Sequence, residues 1–506
     1  MEAVMQRMSF VGRSRELALL DRLWASPRAE LLILYGRRRV GKTRLLTHWL
    51  GAAQGRGLYW VAEPSSAFDQ LRSFSQALYN FANPGMPAPE IFSYASWSQA
   101  FQQLAQLAQR GRVALLLDEF TYLLEADPGV AGALQNAWDH LLSQANLLLV
   151  ISGSHMGMME RHLLSYQAPL YGRATALLRL APLPYADTRR FFPGYGPEER
   201  VTVYAMLGGI PAYWERFDPA LSVVDNLRRQ FLESSSLLLD EPRLLLQDFV
   251  SEAHNYVAIL SAIAHGSRTP KEIAAFTGLM DRHVPAYLAR LVEAGFVERR
   301  LPVTAPPEAR SGRHAITDPF LRFYFRFLAR RQSQLALGVQ DQALAEIQGY
   351  MVDFIGMHTW EELCQEWLLR LSASAAGGSA AGEPRLPFLP DQVGSAWTRR
   401  AQVDVVGINS SERTLYLGEC KWGGQPSSRP ALRDLVERTA EIVPAQGRWR
   451  VYYLGFARAG WTPEAQQYAQ GLRASGLQGE NWSAVGMHLL DLEQVDRDLA
   501  PEVPQG

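Results

Sequence analysis

The stretch LLILYGRRRVGKT (31–43) carries the plainest chemistry in the chain. An apolar, β-prone run from Leu31 to Tyr35 breaks at Gly36 into a basic loop that closes with Gly41-Lys42-Thr43, the pattern G-x-x-x-x-G-K-T. Read as strand, loop and helix, this is a phosphate-binding loop. Gly36 and Gly41 permit backbone angles that aim successive N–H groups at a triphosphate, with Arg37, Arg38, Arg39 and Val40 between them. Lys42 supplies a mobile charge for the β- and γ-phosphates, and the Thr43 hydroxyl can hold Mg²⁺. Arg44 follows near the start of a helix whose positive dipole end faces the same anion. ATP and Mg²⁺ are the expected ligands.

Two later stretches complete that chemistry. VALLLDEF (113–120) is an apolar run ending in two carboxylates. Asp118 would bind Mg²⁺ through water, and Glu119 would polarise the attacking water. LLLVISGS (147–154) ends in Ser152 and Ser154, where a group sensing the γ-phosphate is expected, although a serine-rich turn explains either residue equally well. In PLYGR (169–173), Arg173 sits on a loop from which it could reach a phosphate in its own or a neighbouring subunit, so a homo-oligomer is a possible partner.

A second constellation lies far downstream. QVDVVG (402–407) and RTLYLGECKW (413–422) read as two strands joined by INSSE. By period two, Glu419 and Lys421 project side by side, and Asp404 stands on the neighbouring strand. Asp…Glu-x-Lys on adjacent strands is the arrangement that PD-(D/E)xK nucleases use. Its carboxylates, Asp404 and Glu419, hold Mg²⁺ against a scissile phosphate, while the lysine orients water or stabilises developing charge. A solvated hairpin face is the plain alternative.

Lysine usage sharpens both sites. Of 50 basic residues only three are lysines: Lys42, Lys271 and Lys421. Arginine is the default cation here, so a lysine marks a place where a compact ammonium differs chemically from a planar fork.

Composition bounds the rest. At 506 residues the chain should hold two to four domains. A formal charge of −1 gives no global basic field, so any nucleic-acid surface must be local. Two cysteines, Cys364 and Cys420, argue for a reducing compartment. No apolar run reaches transmembrane length, and MEAVMQRMSF lacks a signal-peptide core, so no membrane partner and a cytoplasmic location are expected.

The elements that must position these residues alternate. A helix over Ser14–Trp24 is expected with Ser14 as its N-cap, and strands over 57–63, 147–154 and 175–182 join those at 31–35 and 113–118. Helical periodicity fills 68–81, 97–109 and 130–143. The pattern predicts a parallel sheet with nucleotide at its carboxyl edge.

FVGR, YGRRRVGKT, LLLDEF, ISGS, PLYGR and LGGIP occur in the order seen in the prokaryotic ATPases called archaeal-type, between the AAA+ and STAND groups of P-loop NTPases. The chain resembles that family over its first 330 residues or so. The resemblance implies an additional-strand (ASCE) P-loop core at 1–182, with Arg13 in a box flanking the adenine and Arg173 as a loop arginine of the nucleotide site. It also implies a helical lid at 183–245, in which Gly208-Gly209-Ile210-Pro211 forms a STAND-like element.

From 246 to 335, three helices (256–266, 270–278 and 281–295) are followed by FVERRLPV and HAITDPFLRFYF, which together could form a β-wing. This is a winged-helix pattern, whose third helix would enter a DNA groove. Residues 282–331 hold ten arginines against four acids, Glu293, Glu298, Glu308 and Asp318. Such a patch suits phosphates, and an interdomain packing role suits the same fold. The segment 345–495 is similar to the nuclease-like domain that often follows this ATPase family. A helix over 345–371 leads in, a flexible loop follows at 372–384, and an α/β/α restriction-endonuclease-like core is implied. The resemblance places Glu361, after Trp360, with Asp404, Glu419 and Lys421. Val403, not proline, precedes Asp404, and that fold includes inactive members.

Three readings follow. The first is an ATPase whose nucleotide state moves a winged helix and a nuclease-like domain on DNA. The second is a STAND-like signalling or assembly switch with an inactive nuclease-like scaffold. The third is a DNA-binding regulator using the winged helix alone.

Overall fold

The computed structural model describes residues 10–52, 57–233, 236–247, 253–306, 309, 311–377 and 386–500. The start of the chain, Glu308 and Arg310 of the basic patch, most of the loop expected at 372–384 and the last six residues lie outside them. The chain forms two compact units, residues 1–183 with 209–213, and residues 184–208 with 214–506.

In the first unit five strands make one sheet: β1 (Glu30–Tyr35), β2 (Gly57–Val61), β3 (Val113–Asp118), β4 (Leu147–Gly153) and β5 (Ala176–Arg179). Their order is β2-β3-β4-β1-β5, and every pairing is parallel. Every residue of β3 and β4 is buried, as a parallel sheet covered on both faces requires. Leu115, Leu149 and Ile151 are wholly inaccessible, and each stabilises the core by roughly 1.5–3 kcal/mol. The chain leaves β1 for the far edge and returns beside it as β4. The loops after β1, β3 and β4 therefore meet at one carboxyl edge.

Helix α1 (Ser14–Ala25) corrects the expected N-cap. Arg13, in left-handed backbone with φ 66°, takes that position, and Ser14 is already helical. The reason is tertiary: the Arg13 guanidinium donates to Val40 O at 3.0 Å and pairs with Glu16 at 3.1 Å. α2 (Lys42–Ala52) opens directly from the phosphate-type loop.

In the second unit, helices of 185–247 and 253–293 precede an antiparallel hairpin, β6 (Val297–Arg300) with β7 (Arg313–Ile316). Thr269 caps the helix Pro270–Thr277 through a capping box with Glu272, and Gly278 ends it at φ 74°. The strand expected over HAITDPFLRFYF stops at Ile316. Asp318 accepts the Phe320 N–H at 3.0 Å, Pro319 fills the first helical position, and the aromatic run turns helical.

A second five-stranded sheet holds β8 (Gln392–Trp397), β9 (Gln402–Asn409), β10 (Thr414–Lys421), β11 (Trp449–Ala457) and β12 (Trp482–Asp491) in the order β12-β11-β10-β9-β8. β8, β9 and β10 pair antiparallel, whereas β10, β11 and β12 run parallel. The lead-in helix Gln340–Phe354 passes through a π-helical turn, Ile355–Trp360, into Glu361–Gly377, so 372–377 continue the helix where a loop was expected. A buried ion pair joins the start and end of this unit: Arg200 donates to Asp496 at 2.7 Å, Arg189 also bonds Asp496, and the Tyr185 hydroxyl donates to it at 2.6 Å.

Candidate functional site

Gly36 leaves the sheet where no side chain fits, because a Cβ would meet Leu180 O at 2.6 Å. Arg39 (φ 66°) and Gly41 (φ 98°) bend the loop back toward α2. Lys42 is only 5% exposed, and its ammonium donates to Gly36 O at 2.9 Å and Arg37 O at 3.1 Å. Burial lowers its pKa, against the raising influence of Glu119 and Asp118. An ammonium held by main-chain carbonyls inside its own loop is a cation placed for a ligand's oxygens. Arg38 donates to Tyr122 Oη at 3.0 Å. Pro211 of the Gly-Gly-Ile-Pro segment comes to 4.0 Å from where a Gly41 Cβ would stand.

Thr43 Oγ1 donates to Asp118 Oδ2 at 2.6 Å, and the Tyr59 hydroxyl donates to the same oxygen at 2.8 Å. Burial, then the Asp118 charge, push the Tyr59 phenol well above its usual range, so it stays a donor. Asp118 Oδ1 accepts the Glu119 N–H at 3.0 Å. Glu119 takes left-handed backbone (φ 50°), and its Oε2 accepts the Ser154 hydroxyl at 2.6 Å. Ser152 Oγ is buried with no hydrogen-bond partner among the described residues. Ser154, not Ser152, is thus the serine that touches the carboxylate. Arg173 is engaged elsewhere: it forks onto Asp139 at 2.7 Å through both Nε and Nη2, and donates to Pro169 O. Its bonds tie it to the helix Val130–His140 and to its own loop, not to Gly36–Thr43.

The second constellation lies in the second sheet. The β9–β10 register, with Gly418 opposite Val405, brings Asp404 next to Glu419. Asp404 Oδ2 accepts the Cys420 N–H at 3.1 Å. Burial and the Glu419 charge raise the Asp404 pKa. Glu419 is bonded through both oxygens, to Lys421 Nζ at 2.6 Å and to Arg438 Nη2 at 2.9 Å. Glu361 follows the π-helical turn. Burial, then the Asp404 charge, lift its carboxyl to about 9, so it is neutral at pH 7. Gln365, one turn later, donates to Asp404 O at 2.8 Å. The four residues expected together do meet. Among the described residues, however, no three His, Cys, Asp or Glu side chains group closely enough to hold a metal ion.

Sequence reasoning missed Tyr59, Arg438 and Gln365. Each acts across a fold contact 59, 19 or 39 residues long, and no local pattern marks it. It also missed Glu362, which accepts Arg300 and Arg322, both at 2.9 Å. The adjacent acids Glu361-Glu362 were the available signal. Among the described residues no helix is long and apolar enough to cross a membrane.

Residues 10–217 match a family described as an ATPase domain predominantly from Archaea, and 324–431 match one described as archaeal and bacterial proteins of unknown function. An uncharacterized protein of Methanocaldococcus jannaschii is 31% identical over 414 residues, which is 82% of this chain and 87% of that one. Among solved structures, a Walker-type ATPase of Pyrococcus abyssi is 19% identical with a TM-score of 0.49, over 63% of this chain and 97% of that one. The ORC1 protein of Aeropyrum pernix, in complex with DNA, is 16% identical with a TM-score of 0.31, over 67% and 95%. With that domain at its amino end and a relative sharing its sequence over 82% of its length, the chain belongs to the family of ATPases predominantly from Archaea.

Proposed function

We propose that ATP is hydrolysed at the Gly36–Thr43 loop and that its nucleotide state governs DNA binding by the second unit, with Mg²⁺-dependent cleavage at Asp404, Glu419 and Lys421. The observation that carries the first step is the convergence of Lys42, Thr43, Asp118 and Glu119 at one sheet edge. Lys42 neutralises the β- and γ-phosphates, the loop N–H groups orient them, and Glu119 takes a water proton. Thr43 and Asp118 place two hard oxygens side by side at 2.6 Å, a donor set that suits Mg²⁺. When bound there, that ion offsets charge on the transferring phosphoryl group. Arg13 holds the loop at Val40, beside the place the resemblance gives the adenine.

Support for DNA is the arginine excess of 282–331. Support for cleavage is the meeting of Glu361, Asp404, Glu419 and Lys421. A specific observation favours the scaffold reading of that cluster: both Glu419 oxygens are already bonded by cations. A DNA cleavage assay in Mg²⁺, with and without ATP, separates the two. Cleavage that Lys421→Ala abolishes while ATP turnover persists supports the nuclease. No cleavage by the native protein under either condition selects the scaffold.

A further inference from the structure

Within the second unit a cavity of about 160 Å³ opens between the β6–β7 hairpin, the helices on either side of it and the first strands of the second sheet. Five arginines line it: Arg268, Arg300, Arg313, Arg322 and Arg326. Two carboxyl groups, those of Asp353 and Glu361, share the lining. The charges do not balance. Arg300 and Arg322 converge on Glu362, but Arg268, Arg313 and Arg326 have no carboxylate within ion-pair distance among the described residues. Three partly buried guanidinium groups around one cavity repel one another and are costly to desolvate, and an anion between them relieves both terms.

The lining also has flat faces. The Arg313 guanidinium lies 4.5 Å over the Trp397 ring and donates to Gln402 Oε1 at 2.9 Å. Arg326 stands 5.9 Å from the Tyr350 ring. Guanidinium forks with aromatic rings recognise phosphate and base together. At this volume the cavity excludes a duplex. Glu361 lines it and is the residue it shares with the Asp404 cluster.

We propose that this cavity is a single-strand site: it seats a phosphate and its nucleotide on Arg268, Arg313 and Arg326 and delivers the chain past Glu361 to Asp404, Glu419 and Lys421. The inference rests on the DNA reading above and changes its geometry. The strand is read on the hairpin side of the helical segment, and the helix Val284–Glu293 is not its main contact.

The test measures binding of a fluorescein-labelled single-stranded DNA, its duplex and free dAMP to the full chain across a salt series. Arg268→Gln with Arg313→Gln should weaken single-strand binding at least tenfold and reduce the salt slope by about 1.4, since each phosphate contact to a single strand contributes about 0.7. Arg326→Gln alone, which breaks no ion pair, should weaken it several-fold and guards against misfolding of the double variant. An unchanged denaturant melt followed by a probe in the second unit would show that its fold survives. Native binding of single strands that all three substitutions leave intact overturns the cavity proposal while DNA binding stands. Absence of any DNA binding by the native protein overturns the parent reading instead. Capture of dAMP without the strand overturns the strand assignment.

Discussion

Two lysine-and-carboxylate constellations occur in this chain, and they are compensated in opposite ways. In the first unit Lys42 is held by neutral carbonyls, and Glu119 by the neutral Ser154 hydroxyl. Among the described residues no carboxylate lies within ion-pair distance of the lysine, so its charge is available to a polyanion. In the second unit Lys421 is already paired with Glu419, Arg438 takes the other oxygen, and Glu361 is uncharged. The first site is preorganised for a substrate that brings negative charge. In the second, both Glu419 oxygens carry internal cations, so a ligand must displace one of them to reach that carboxylate.

The largest effect should come from breaking the first arrangement. Glu119→Gln keeps size and the bond from Ser154 but removes the base, so kcat for ATP should fall by about 10²–10⁴ with ATP binding retained. Lys42→Ala should remove ATP binding as well, read by nucleotide titration. Turnover at the native rate in either variant would break the contrast at its stronger end.

The second unit's reliance on paired charge predicts a different failure. Asp496 is the shared acceptor of Arg200 and Arg189, and Arg200 is buried. Asp496→Ala leaves an uncompensated guanidinium and should cost about 3–5 kcal/mol in that unit's stability. Denaturant melts followed by a probe in the second unit should show it, with ATP binding by the first unit unchanged. A loss under about 1 kcal/mol would show water replacing the carboxylate.

How much of this was legible differs between the units for the same reason. β1, β3 and β4 are mostly apolar runs, because a parallel sheet buries both faces; β3 ends in Asp118, and Gly36 and Ser154 directly follow β1 and β4. The second sheet was half visible. β9 and β10 read clearly, but QVGSAW and WSAVGMHLLD have no clean period-two burial, and β8 and β12 escaped notice. Aromatic residues 320–325 carried a strand propensity that the Asp318-Pro319 start overruled. Motif residues come from local sequence, so Lys42, Thr43, Asp118 and Glu119 were found. Partners such as Arg438 on Glu419 and Tyr59 on Asp118 depend on which strands and helices become neighbours.

The neutral Glu361 gives the second unit its own pH signature. Its folded pKa, about 9, lies above the ordinary 4.5, so its contribution is fully present below pH 4.5 and is lost as pH rises toward 9. His358 works the other way. Burial and the Arg322 charge lower it from 6.5 to about 3, so stability is lost as pH falls below 6.5. Glu362 is held at about 2 by Arg322 and Arg300 against the cost of its own burial, and its contribution is lost from 4.5 downward. Above pH 6.5 the Glu361 term stands alone of these three, a decline of up to about 1.4 kcal/mol per pH unit toward pH 9. Glu361→Gln should flatten that alkaline decline in a melting series. A decline that persists would assign it to another group.

The smallest expected effect tests whether Glu119 is free to act. Ser154 donates to its Oε2 at 2.6 Å, and Glu119 must turn from that bond to meet water at a γ-phosphate. A hydrogen bond to a charged group is worth about 1.5–3 kcal/mol before solvent replaces it, and much of that returns when water takes the hydroxyl's place. Ser154→Ala should therefore raise kcat by about three- to tenfold at unchanged KM. A fall in kcat would mean that the hydroxyl aims the carboxylate and does not restrain it. The first site's neutral tether would then be part of its catalytic alignment, and the contrast with the ion-paired Glu419 would be one of strength rather than kind.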